Sequence, residues 1–280
     1  MRRLIWLTAL LVALVFISGC IPSDTIRQTE RLDYRGNIRE FSIQTYNGAV
    51  VWKTLPRDRA PYVIIDRHVT GLNRPAMESY LRNMDVRERV VGNVVTLSAE
   101  EYSRPQGVTS SGVKITVYAS PQDIHEFHAV TRNSIVQVEQ FLGMLRVETS
   151  NGRIEIMEGS GIVDLRTSNA PVDLGTVVLE GDSRVRSSNG RISGNVTISR
   201  GRNFSFHTAN ANIDLFFPTR MRGVFDMQTS NGRINIELTE QSGSSRNQLV
   251  VGRGDPFISL RTSNGNITVL PQRTATRTVR

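Results

Sequence analysis

The sequence predicts an all-β fold wound from repeats of about 20 residues. Three observations carry that reading. The tetrapeptide Thr149-Ser150-Asn151-Gly152 recurs along the chain, its copies are nearly evenly spaced, and apolar residues alternate with polar ones on both sides of each copy.

The copies are Thr167-Ser168-Asn169-Ala170, Ser187-Ser188-Asn189-Gly190, Thr208-Ala209-Asn210-Ala211, Thr229-Ser230-Asn231-Gly232 and Thr262-Ser263-Asn264-Gly265. Two looser ones precede them, Thr45-Tyr46-Asn47-Gly48 and Thr131-Arg132-Asn133-Ser134. From Asn133 onward the Asn-to-Asn spacings are 18, 18, 20, 21, 21 and 33. The last spacing holds an insertion, in which the polar, Ser-rich residues 239–246 read as a loop.

Counted from the Asn, positions −6, −4, +3 and +5 are mostly apolar. Leu145, Val147, Ile154 and Ile156 fill them in the first strong copy, and Phe41, Ile43, Val50 and Trp52 in the earliest. Strict alternation of this kind marks a half-buried strand on each side of a bend. Two architectures satisfy it. Asn-Gly between alternating strands is a hairpin signal. Alternatively, each repeat is one coil of a β-solenoid, with equivalent residues stacked about 4.8 Å apart. The near-constant period, the copying of Thr, Asn and aliphatic positions between units, and the presence of Asn in all eight copies favour the solenoid. Asn-Gly would then supply positive φ at a corner, with Asn itself left-handed where Ala follows, at Asn169 and Asn210.

Outside the repeats, residues 62–66, 91–99 and 112–119 read as strands. Residues 74–90 read as one helix, with Asn73 as N-cap, Pro75 in the first turn and a stripe of Met77, Tyr80, Leu81 and Met84. Because an open solenoid end invites aggregation, residues 54–120 are the candidate cap.

The N-terminus carries a different signal. Arg2 and Arg3 precede an apolar run over residues 4–16, long enough for a secretory h-region and too short to span a bilayer comfortably. The run ends in Ile17-Ser18-Gly19-Cys20, which resembles the bacterial lipobox, and Cys20 is the sole cysteine. The resemblance implies cleavage before Cys20, diacylglyceryl modification of its thiol and anchoring in a membrane. No Asp follows Cys20, which favours the outer membrane in a Gram-negative cell. The expected organisation is a signal peptide at 1–19, lipidated Cys20 and a tether at 20–36, a first coil with a capping region and helix at 37–126, regular repeats at 127–270, and a disordered basic tail at 271–280.

Removing Arg2 and Arg3 from the formal +8 of the whole chain leaves +6, and Lys53 and Lys114 are the only lysines. An exported chain with this balance favours anionic neighbours such as lipid head groups or acidic glycans, or an envelope protein, over nucleic acid. Stacking predicts outward columns of charge. At Asn+2 these hold Arg153, Pro171, Arg191, Asn212, Arg233 and Asn266; at Asn+4, Glu155, Asp173, Ser193, Asp214, Asn235 and Thr268. Arginine beside carboxylate reads as a salt-bridge lattice, each link worth about 0–1 kcal/mol. At Asn−3, Arg166 and Arg186 would stack with like charge, an arrangement that an anion would relieve. Arg153, Arg166, Arg186, Arg191 and Arg233 are therefore the candidate anion- or glycan-binding residues, and Asn47, Asn133, Asn151, Asn169, Asn189, Asn210, Asn231 and Asn264 the structural turn ladder.

His125 and His128 fall on strand or turn positions that point them to opposite faces, so no metal site and no cofactor is expected. Arg253-Gly254-Asp255 matches the integrin tripeptide but reads as an ordinary turn into a strand starting at Phe257. Gly-x-Ser-x-Gly, Walker, His-Glu-x-x-His and dinucleotide motifs are absent from the sequence. Glu155, Asp173 and Asp214 are the carboxylates that a polysaccharide-active enzyme could use.

The recurring Thr-Ser-Asn-Gly with flanking alternating strands resembles a bacterial adhesin family of β-strand-repeat domains of unknown function, over residues 37–270 and most strongly over 127–270. The resemblance implies a single-stranded right-handed β-helix in exported or membrane-linked proteins, and carries no catalytic residue. The expected role is non-enzymatic binding, adhesion or scaffolding in the envelope. A polysaccharide-active β-helix enzyme and a purely structural spacer are the alternatives.

Overall fold

The computed structural model describes residues 23–100, 103–239 and 241–272. Cys20, the signal sequence and all of the expected tail beyond Gln272 lie outside the described residues. Among the described residues the fold is all-β, with 21 strands joined in one open sheet and a single short helix.

The N-terminal part comprises β1 (Asp24–Asp33), β2 (Glu40–Gln44), β3 (Val50–Thr54), β4 (Tyr62–Gly71), α1 (Arg74–Asn83), β5 (Val86–Val91), β6 (Val94–Ala99) and β7 (Val108–Ala119). The central repeats give β8 (Glu126–Val130), β9 (Val136–Glu148), β10 (Ile154–Arg166), β11 (Val172–Leu179), β12 (Ser183–Arg186), β13 (Ile192–Ile198), β14 (Asn203–His207) and β15 (Ile213–Phe217). The C-terminal part holds β16 (Val224–Gln228), β17 (Ile234–Leu238), β18 (Gln241–Ser245), β19 (Gln248–Val251), β20 (Phe257–Arg261) and β21 (Ile267–Pro271).

The strands flanking an Asn do not pair with each other as a hairpin would. Each pairs in parallel with its counterpart in the neighbouring repeat, in register: Ile154 faces Val136 on one side and Val172 on the other. The strands before the Asn residues form one row, β2–β8–β9–β10–β12–β14–β20–β16. Those after them form a second, β3–β9–β10–β11–β13–β15–β21–β17. The long strands β9 and β10 belong to both rows and bend between them at Gly143 and Gly161, which are in register.

The inward positions of both rows make one continuous core. Phe41, Phe127, Leu145, Val163, Phe204 and Ile258 from the first row are buried with Val50, Val136, Ile154, Val172, Ile213 and Ile267 from the second. Trp52 stacks on Phe127 with ring centroids 4.8 Å apart, and its indole N–H donates to the carbonyl of Ala119 at 3.2 Å. Each such aliphatic or aromatic side chain contributes about 1.5–3 kcal/mol on burial. Ser183 is the polar exception at an inward position. Its hydroxyl donates to the Gly181 carbonyl at 2.8 Å and accepts from the Val163 amide at 3.2 Å, so no buried group is left unpaired there.

The layers do not follow chain order at either end. The layer of Asn264 (β20, β21) lies between those of Asn210 (β14, β15) and Asn231 (β16, β17). The long spacing is therefore an excursion: the chain builds an outer layer and returns to fill the gap beneath it. Similarly, β2 and β3 lie between β8 and β9 on one side and β6 and β7 on the other. Both ends are closed by strands that run antiparallel to the layer they cover: β5, β4 and β1 at one end, β18 and β19 at the other.

Four expectations change. Residues 24–33 of the expected tether form β1, ordered by its ladder to β4. The buried Arg67 guanidinium ties the two together by donating to Glu30 at 2.8 Å. The helix stops at Asn83 instead of Val90, because Val86, Val90 and Val91 are β-branched and the Gly92-Asn93 turn pairs them with β6. The Ser-rich segment holds β18, paired to β17, in place of a loop. Finally, none of the described non-glycine residues has positive φ, and neither do Gly48, Gly152, Gly190, Gly232 or Gly265. Glycine after Asn answers to space instead: a Cβ on Gly152 would lie 1.7 Å from the carbonyl oxygen of Ser134 in the layer beneath. Positive φ is used at the opposite bend, at Gly143 and Gly161. Arg253-Gly254-Asp255 does form a bend leading into β20 at Phe257.

Candidate functional site

At each corner the recurring residues divide their tasks. The Thr or Ser two places before the Asn is buried in all eight copies. Its hydroxyl bonds across layers, as from Thr167 to the Gly152 carbonyl at 3.1 Å and from Thr208 to the Gly190 carbonyl at 2.9 Å. The Asn side chains line the outside. Asn133 donates to Asn47, Asn151 to Asn133, Asn169 to Asn151, Asn189 to Asn169, Asn210 to Asn189, Asn264 to Asn210 and Asn231 to Asn264, all at 2.6–2.7 Å. Every amide thus satisfies the next, and the ladder runs in spatial order, not chain order.

The five candidate arginines are not brought together. Arg153, Arg191 and Arg233 stand beside the second row of strands, Arg166 and Arg186 in the first. On the second row the charges are largely matched. Arg153 meets Asp173 at 3.4 Å, Arg191 meets Asp214 at 2.8 Å, and Ser193 donates to Asp173 at 2.8 Å. Asp173 and Asp214 each bond an arginine or serine of an adjacent layer, the expected lattice geometry. Glu155 is in register with Asp173 and Gln137.

The first row differs. Arg166 faces Arg186 in register, and Arg186 faces His207. Two residues earlier on the same outward side, Arg146 faces Asp164, and Asp164 faces Arg184. A groove of about 260 Å³ runs over these side chains. Among the described residues, Arg166, Arg184 and Arg186 are engaged in no ion pair or side-chain hydrogen bond. Arg184 was not among the candidates; it sits at Asn−5, and a tabulation of that column would have found it. His128 lies at the groove's end, in register with Arg146, while His125 is within 3.4 Å of the Arg39 guanidinium. Among the described residues no cluster of His, Cys, Asp and Glu could hold a metal, and no helix is long and apolar enough to cross a membrane.

The uncompensated charge is felt next door. Partial burial, then the Arg186 and Arg261 guanidiniums, lower the pKa of His207 from its usual 6.5. Burial and Arg27 lower that of His68. Since the unfolded chain binds these protons more readily, the stability they contribute is present above about pH 6.5 and is lost as pH falls through the depressed folded values. Thermal melts should therefore show a declining Tm on acidification below about pH 6.5. His207→Gln should flatten part of that decline; an unchanged slope would remove His207 from the account.

No family model and no curated protein matches the chain. Solved bacterial structures are similar to it at low identity. A "putative cell adhesion protein" from Clostridium sporogenes has 6% identity and a TM-score of 0.32, covering 88% of this chain and 100% of its own. A "putative adhesin" from Parabacteroides merdae has 9% identity and a TM-score of 0.35, over 87% and 96%. One from Bacteroides fragilis, similarly described, has 11% identity and a TM-score of 0.33, over 88% and 97%.

Proposed function

We propose that the chain is a lipid-anchored protein of the cell envelope, a right-handed β-solenoid that presents a repetitive polar surface for non-enzymatic binding, adhesion or scaffolding. The observation that carries this reading is the pair of outward charge grids, whose spacing is fixed by strand register. Such a surface offers many equivalent contacts instead of one enclosed site. The pairing of Asp173 with Arg153 and of Asp214 with Arg191 favours a lattice over a catalytic pair of carboxylates.

The lipobox-like Ile17-Ser18-Gly19-Cys20 supports the anchor. Because β1 begins at Asp24, the chain from Cys20 to the domain can reach no more than about 14 Å even when fully extended. An anchored domain would stand against the lipid surface, and the outer membrane is the favoured site in a Gram-negative cell.

The deciding experiment is intact mass and detergent partitioning of the chain expressed in a bacterium, beside Cys20→Ser. The wild type should gain the diacylglyceryl mass and enter the detergent phase, since two or more acyl chains anchor stably where one does not. The variant should do neither. Two unlipidated proteins in the aqueous phase would overturn the anchor and leave a freely exported domain.

A further inference from the structure

We propose that the groove over Arg146, Arg166, Arg184 and Arg186 binds a linear acidic polysaccharide laid along the layer axis, its carboxylates held by the arginines and its hydroxyls by Asp164 and Glu148. The proposal rests on the binding role above and names its ligand class.

Ion pairs form on both rows: Arg153 and Arg191 each find an acid on the second, and on the first Arg146 meets Glu126 at 3.4 Å and Arg261 meets Asp226 at 2.8 Å. Arg166, Arg184 and Arg186 stand apart from that pattern. On the first row β12 carries two arginines two residues apart, Arg184 and Arg186, and no acid. The next strand, β14, offers Ser205 and His207 opposite them. Arg166 and Arg186 are register partners on strands about 4.8 Å apart, an unfavourable like-charge pairing without a counter-charge. A carboxylate between them accepts from both forks, and such charge-assisted bonds are the strong ones.

The acids decide the kind of anion. Along the outward column Arg146, Asp164 and Arg184 alternate, so the two arginines are two strand spacings, about 10 Å, apart with a carboxylate between them. Glu148 stands next to Arg166 in the parallel column. A flat sheet of lipid phosphates would press negative charge onto Asp164 and Glu148 as well as onto the arginines. A sugar chain with separated acid groups does not: its hydroxyls donate to the carboxylates in the intervals. The groove's 260 Å³ span three layers, from Arg146 and Glu148 through Asp164 and Arg166 to Arg184 and Arg186, and all of its lining side chains but Val147 are polar or charged. His207 reports on the same charge, because an anion on Arg186 removes part of the field that lowers its pKa.

The test uses the full chain in neutral detergent micelles, titrated calorimetrically with polygalacturonate, with neutral dextran, and with micelles doped with phosphatidylglycerol. The expected result is binding of polygalacturonate that weakens with added salt, and none of dextran. Arg184→Gln with Arg186→Gln should weaken it roughly ten-fold or more. Arg87→Gln with Arg89→Gln on β5, outside the groove, should leave it unchanged. Arg166→Gln serves as a second variant should the first pair disturb folding, which melts will show. In the wild type, saturation with polygalacturonate should raise the pH at which His207 titrates by NMR. No binding at low salt, equal losses from both arginine pairs, or binding of the phosphatidylglycerol micelles alone would each overturn the proposal. The anchor is read independently at Cys20, so a failure here leaves that result standing.

Discussion

Deleting residues 257–280 should unfold the C-terminal third of the repeats instead of trimming its end. In chain order these residues look terminal; in space β20 and β21 fill the gap between the layers of Asn210 and Asn231. Ile258, Leu260, Ile267 and Val269 are all fully buried there, and at about 1.5–3 kcal/mol each they represent roughly 6–12 kcal/mol of apolar burial. That is comparable with the entire stability of an ordinary domain, about 5–15 kcal/mol. The deletion also strands β16–β19, whose parallel contact with the body of the protein runs through β20 and β21. Hydrogen exchange should show residues 218–251 losing protection throughout, with a large fall in Tm. A truncated chain that melts as before would mean that β16 and β17 dock directly onto β14 and β15, in the order a naive reading of the repeats suggests.

Gly161→Ala should be the most damaging single methyl addition along the bend of the long strands. Gly161 has φ +143°, and a Cβ there would lie 1.8 Å from the carbonyl oxygen of Gly143 in the adjacent layer. Backbone strain of about 1–3 kcal/mol and overpacking of similar size act together, for roughly 2–5 kcal/mol. Gly254 supplies the control. It also has positive φ, +77°, but nothing lies within 4 Å of the position a methyl would take, so Gly254→Ala carries the strain alone. Urea denaturation of the two variants separates the terms. Equal losses would show that the layers part easily at the bend and that close approach costs little.

The strands and their inward faces were legible in the sequence because period-two alternation and a copied corner leave direct marks on it. Phe41, Ile43, Val50 and Trp52 could be placed correctly from position alone. Layer order was not legible. Every repeat presents the same ladder edge, so Asn264 fits above Asn210 as well as Asn231 does, and spacing along the chain cannot choose. Polarity misled at both ends. β1 and the Ser-rich β18 are edge strands with few buried side chains, so their sequences lack the alternation that marks a central strand. The corner glycine was assigned to conformation when it serves contact, since a close approach from the next layer is invisible in one repeat. Arg166 and Arg186 emerged from the repeat columns, but their neighbour Arg184 did not, because the column at Asn−5 mixes Arg, Asp and Ser.

The antiparallel strands at the two ends have a consequence for how strongly such a surface can hold a long ligand. Strands bearing charge, such as β1 with Arg27, Glu30 and Arg31 and β5 with Arg87, Glu88 and Arg89, discourage a second copy from continuing the ladder. Such charge works against a ladder that lengthens through that end. On the proposed lipid anchor, avidity for a long polymer would come from several copies sharing it in the plane of the membrane. Short tethers would keep neighbouring copies at a common height, and the effective concentration would be set by how densely they are anchored.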